Sequence, residues 1–221
     1  MARTAKPKSD VNRNVVSLKL TLRGTKPPVW RRLLVPGETT LGDLHRAIQA
    51  AMGWEDDHLH TFDIEGRQYG DPRVVDDVAD EKRVTLNGLI KSGVTRFAYT
   101  YDFGDNWEHA LLIEKSLPVV EALSRPTCTA GKRRCPPEDC GGPWGYLELL
   151  EVLADPAHPE HAERREWLGE DFDPDDFNPE IADAILAARF SRAVCSLRSS
   201  GDSESTLESA TISGLSTRPP P

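Results

Sequence analysis

Residues 96–115, RFAYTYDFGDNWEHALLIEK, decide how the rest of the chain is read. In the first arm Phe97, Tyr99, Tyr101 and Phe103 recur at every second position. In the second arm Trp107, His109, Leu111 and Ile113 do the same. Side chains two apart share a strand face, so the stretch predicts two half-buried strands. A short loop at Gly104–Asn106 keeps the two apolar faces on one side of a hairpin. The DFG triplet inside it has neither a glycine-rich phosphate loop nor an HRD motif elsewhere, so a kinase reading fails. Gly104 and Asp105 read as turn residues. Asp102 and Glu108 are expected on the face away from the aromatics.

Outward from this hairpin the pattern repeats. VVSLKLTLR (15–23) sets Val16, Leu18, Leu20 and Leu22 against Ser17, Lys19, Thr21 and Arg23. A turn at 24–28 leads into VWRRLLV (29–35), giving a first hairpin. Thr40 then caps a helix, with Asp43 three residues on. Leu41, Leu44, Ile48 and Met52 follow at helical spacing, and Gly53 ends it. HLHTFDIEG (58–66) reads as a third strand, RQYGDP (67–72) as a turn, and VTLNGLIKSG (84–93) as a short helix. Strand, strand, helix, strand, short helix, strand, strand is the order of an α+β fold. The expected fold is a β-grasp-like mixed sheet with a crossing helix, plus a small helical C-terminal annex.

Four parts are expected: a flexible basic arm (1–13), the sheet domain (14–127), a Cys/Pro/Gly corner with an acidic helical annex (128–195), and a disordered serine-rich tail (196–221). The annex helices are placed from Pro143 to Asp155, at 159–168 and at 179–192.

Charge narrows the function. Of 221 residues, 27 are Lys or Arg and 36 are Asp or Glu, a net of −9. Residues 138–183 hold 15 of the acids and only Arg164 and Arg165 as bases. Such a block repels a phosphate backbone, so generic duplex DNA binding is disfavoured. Arg31, Arg32, Lys132, Arg133 and Arg134 are the residues that could still gather as a basic patch. No apolar run approaches the ~20 residues of a membrane span, and the first residues lack the apolar core of a signal peptide. The chain reads as cytoplasmic, which leaves its cysteines as thiols or metal ligands.

The chemistry-bearing stretch is CPPEDCGGPWGY (135–146). Cys128, Cys135 and Cys140 are metal-capable thiols, with His58, His60 or His109 as distant completing ligands, and zinc is the ion such a set would take. The competing reading makes the cysteines small buried residues in a rigid corner anchored by Trp144. Two further readings stand beside these: Lys132, Arg133 and Arg134 would activate a nearby thiol, and His58 and His60 share a strand face. His45 reads as packed and His109 as lying on the aromatic face.

These motifs together resemble the plasmid pRiA4b ORF-3-like family. The stretches concerned are PPVWRRLLVPGETTLGDLHRAIQAAMGW, HLHTFDI, TLNGLI, YTYDFGDNWEH and CPPEDCGGPWGY, and the resemblance covers about Val15 to Arg192. Some members carry insertion-element passenger or TnpR-like labels, which implies an association with mobile elements. A serine recombinase needs an N-terminal nucleophilic serine and a basic helix-turn-helix. The first serines here are Ser9 and Ser17, and no basic recognition helix follows. Trp30, Trp107, His109, Glu138, Asp139 and Trp144 fall in the signature stretches and are the binding candidates. The resulting expectation is a non-catalytic binding or adaptor protein with a protein partner. The alternative is a metal-dependent hydrolase or nucleic-acid-processing enzyme that uses the Cys/His set.

Overall fold

The computed structural model describes residues 14–118, 123–169 and 171–199. The basic arm and the tail from residue 200 lie outside the described residues. The strands are β1 (Asn14–Leu22), β2 (Trp30–Pro36), β3 (His60–Ile64), β4 (Arg67–Gly70), β5 (Ala79–Asp80), β6 (Arg96–Tyr101), β7 (Trp107–Pro118) and β8 (Thr127–Lys132). The α-helices are α1 (Leu41–Met52), α2 (Leu86–Lys91), α3 (Gly142–Ala154), α4 (His161–Leu168) and α5 (Pro179–Ser199).

All eight strands form one mixed sheet in the order β5-β4-β3-β6-β7-β1-β2-β8. Among the described residues only the β4–β5 pair is parallel. The alternation in the sequence is what builds it. Val16, Leu18, Leu20 and Leu22 of β1 are at most 1% exposed. Beside them stand Trp107, His109 and Leu111 of β7, and Tyr99 and Tyr101 of β6, all equally buried. Truncating one such leucine to alanine costs ~2–5 kcal/mol.

Helix α1 crosses this face. The Thr40 hydroxyl accepts from the Asp43 amide at 3.1 Å, and Gly53 ends the helix at φ 91°. His45 and Gln49 reach the Tyr99 hydroxyl on β6, while the Ala51 carbonyl receives Arg31 Nε from β2. The α+β class, the mixed sheet and the crossing helix are as expected.

Five local expectations are corrected. RQYG pairs with β3 as strand β4, because its short run still offers a ladder to Phe62–Ile64. Phe103 leaves the strand and is 48% exposed, since the hairpin turn already starts at Asp102. For the same reason Asp102 sinks to 7% exposure. The boundary at 127/128 falls inside β8, which pairs with β2 and carries the sheet into the annex. α5 continues to Ser199, beyond Arg192 where its end was expected.

The basic patch does not form either: strand alternation parts Arg31 from Arg32, and Arg133 and Arg134, beyond the end of β8, turn to partners in the annex. Arg31 points into the core, 2% exposed, and Arg32 pairs with Glu114 on the other face at 2.8 Å. Arg133 is buried against Asp175, and the Arg134 guanidinium lies over Phe172.

Candidate functional site

The corner 135–146 clamps the loop that joins α1 to β3. Trp54 Nε1 donates to the Pro136 carbonyl at 3.0 Å. Glu138 takes the Glu55 amide on one oxygen at 2.9 Å and the Tyr101 hydroxyl on the other at 2.5 Å. That hydroxyl also accepts the Asp57 amide. Burial, and then the Glu138 carboxylate, push the Tyr101 pKa upward, so the phenol stays a donor. The Gly141 amide donates to Asp105 in the β6–β7 turn. The corner is therefore tied to both the loop and the hairpin.

On one side of the clamped loop lies a groove of about 620 Å³. Trp54, Pro136, Trp167, Phe172, Phe177 and Ile181 line it, with Glu55, Glu138 and Asp176 among its polar residues. Trp167 is 50% exposed and Ile181 60%. Large apolar side chains clustered and left open in this way mark interaction surfaces.

On the other side is a pocket of about 670 Å³ whose lining includes His45, Asp56, His60 and Glu81. Here the rings of His45 and His60 stack, with centroids 3.4 Å apart and planes within 6°. The Asp56 carboxylate can only accept, which obliges the neutral His45 ring to carry its proton on Nε2 and leaves Nδ1 to accept from the Tyr99 hydroxyl at 2.8 Å, whose oxygen also receives Gln49 Nε2. His45 Nε2 gives that proton to Asp56 at 2.6 Å. Burial holds the His45 pKa below the ordinary histidine value, against the pull of Asp56. His60 Nε2 lies 2.8 Å from the buried Glu81 carboxylate. A general base needs a nitrogen free for the substrate proton. Both nitrogens of His45 are engaged, so it orders the pocket floor and the expectation that it is packed is met.

The Cys/His metal set is not assembled. Cys128 and Cys135 are buried beside Arg31, and Cys140 is half-buried. Burial pushes the Cys135 thiol up and the Cys140 thiol up to about 12, which also removes the activated-thiol reading. His109 is fully buried; its Nδ1–H donates to the Trp107 carbonyl at 3.0 Å. His60 is held by Glu81. His58 lies before the strand and meets Asp102 and Asp139 instead, because β3 begins only at His60.

Of the binding candidates, Glu138 and Asp139 sit at the clamp. Trp107 and His109 are core residues. Trp30 lies on the opposite face of the sheet, between Lys19 and Arg32. Trp144 is 84% exposed on the first turn of α3 and anchors nothing. Tyr146, two residues on and 1% exposed, seats that helix in its place. Sequence reasoning missed Asp56, Glu81, Trp167 and Ile181. Asp56 lies in a loop and Glu81 opens a single 3₁₀ turn, neither with a period, and the two apolar residues belong to helices whose partners are distant in sequence.

The plasmid pRiA4b ORF-3-like protein family matches residues 14–181. An uncharacterized protein, y4hQ, from Sinorhizobium fredii (strain NBRC 101917 / NGR234) is 45% identical over 159 residues, which is 71% of this chain and 81% of that protein. A crystallised protein of unknown function from Methanosarcina mazei Go1 is also 45% identical, with a TM-score of 0.71. The match covers 76% of this chain and 97% of that one. No helix among the described residues is long and apolar enough to cross a membrane.

Proposed function

The chain belongs to the plasmid pRiA4b ORF-3-like family, and we propose that it is a non-catalytic binding or adaptor protein whose groove takes a basic, apolar segment of a partner protein. The observation that carries this is the open wall formed by Trp167 and Ile181. An indole and a branched aliphatic side chain in a concave site supply the apolar anchors that peptide recognition uses. At the groove Glu55, Glu138 and Asp176 outnumber Arg31 and Arg134, and with the acidic annex alongside they favour lysine and arginine on the occupant. The same acidic field weighs against duplex DNA. The plasmid in the family description supports a setting among mobile elements, and the thiols fit a cytoplasmic one.

Peptide display against the tag-free full chain tests the reading. Enriched peptides should combine Lys or Arg with aliphatic or aromatic residues. Their binding should weaken about tenfold or more in Ile181→Glu, a loss of at least about 1.4 kcal/mol. Selection of acidic peptides, or binding unaffected by Ile181→Glu, would defeat it. Competition by a peptide of residues 1–13 would show that the chain's own basic arm is the occupant.

A further inference from the structure

His58, Asp102 and Asp139 come from three separate segments: the α1–β3 loop, the β6–β7 turn and the corner. Their ligand atoms lie within 4.8 Å of one another. His58 Nε2 stands 3.3 Å from Asp139 Oδ1 and 3.8 Å from Asp102 Oδ2. Ligands ~2.1 Å from one ion, at angles of ~90–110°, are themselves ~3.0–3.4 Å apart, so a small closure of this set reaches metal geometry.

A second observation points the same way. The Asp102 side chain is only 10% exposed. Its Oδ1 accepts the Gly104 and Asp105 amides, but Oδ2 accepts no hydrogen bond among the described residues. The 3.8 Å to His58 is too long for one. Oδ2 is the one edge of this mostly buried carboxylate that still meets solvent, so it is the atom available to a cation at the cluster.

From this geometry we propose that His58, Asp102 and Asp139 bind a divalent first-row transition ion of the zinc type. One imidazole and two carboxylates form a mixed N/O set suited to such ions. Asp139 is 75% exposed in its side chain, so the open coordination positions face solvent and take water. The ion would fasten the corner to the hairpin turn. The site is independent of the groove and of the partner proposed for it.

The test is titration of the tag-free, chelator-treated full chain with Zn²⁺, followed by calorimetry and by thermal melting. One equivalent should bind with a Kd of about 10 μM or tighter and raise the melting temperature. Asp139→Ala and Asp102→Asn should each weaken binding about tenfold or more. Asparagine keeps the oxygen that holds the turn amides. If that variant does not fold, the exposed Asp139 substitution still decides the matter. Cys140→Ala and His60→Gln should leave the affinity unchanged, and the Co²⁺ form should show no thiolate-to-cobalt charge-transfer band. Failure to bind at millimolar Zn²⁺, unchanged affinity in Asp139→Ala, or loss in Cys140→Ala would each overturn the proposal.

Discussion

Two tryptophans near the corner show how much a side chain's position outweighs its type. Trp54 is 2% exposed, stacks on Tyr101 with centroids 5.1 Å apart, and donates to Pro136. Trp144 leaves 84% of its surface in water. Trp54→Ala should therefore destabilise the protein by about 3–5 kcal/mol, as for other buried large aromatics. Trp144→Ala should stay within about 0.5 kcal/mol of the wild type. Urea denaturation of both variants checks this, and a Trp144→Ala loss above that of Trp54→Ala would restore Trp144 as the anchor. The sequence pointed to Trp144 as the anchor of the corner. That choice rested on a glycine- and proline-rich turn, where no periodicity says which way a side chain points.

At the level of elements, the corner holds because its glycines allow backbone to meet backbone. Gly142 has φ +68°, and a Cβ there would lie 2.3 Å from the Asp105 carbonyl oxygen. A Cβ on Gly145 would lie 2.0 Å from the Cys140 carbonyl. Neither neighbour is a flexible side-chain end, so relief requires moving the chain. Gly142→Ala should cost at least about 2 kcal/mol, more than the usual left-handed penalty alone. Amide exchange should also quicken in residues 54–58, which the corner clamps. Wild-type exchange there in a folded Gly142→Ala variant would contradict the clamp. The run GGPWGY already announced a turn and a helix start through Pro143. That its glycines are tight against the β6–β7 turn is a fact about two segments more than thirty residues apart.

For the molecule as a whole, burial of neutral histidines couples stability to pH. His109 has no exposed surface, and desolvation lowers its pKa to about 4, from about 6.5 in an unfolded chain. Above pH ~6.5 it is neutral in both states and costs nothing. As pH falls from ~6.5 towards 4 the unfolded state takes up a proton that the native state refuses, and stability declines by on the order of 3 kcal/mol. His45, also lowered by burial, acts in the same direction. Urea midpoints should therefore fall steadily from pH 7 to pH 5, and His109→Gln should flatten that slope. Equal midpoints at pH 7 and pH 5 would show that these histidines titrate freely in the native state.

Period-two alternation in β1, β6 and β7, and the Thr40–Gly53 frame of α1, were sufficient for the sequence alone to determine the α+β fold and the crossing helix. Burial acts on each residue locally there: an apolar side chain at every second position has only one face on which to hide. The motifs also determined the family. The tertiary structure decided everything that depends on distant segments meeting. It stacked His45 on His60, opened Trp167 and Ile181 to a groove, parted Arg31 from Arg32 across the sheet, and brought His58 to Asp102 and Asp139 instead of the cysteines. Those contacts join loops and turns whose own sequences carry no repeating pattern, so their partners are fixed only once the sheet has set the distances between them.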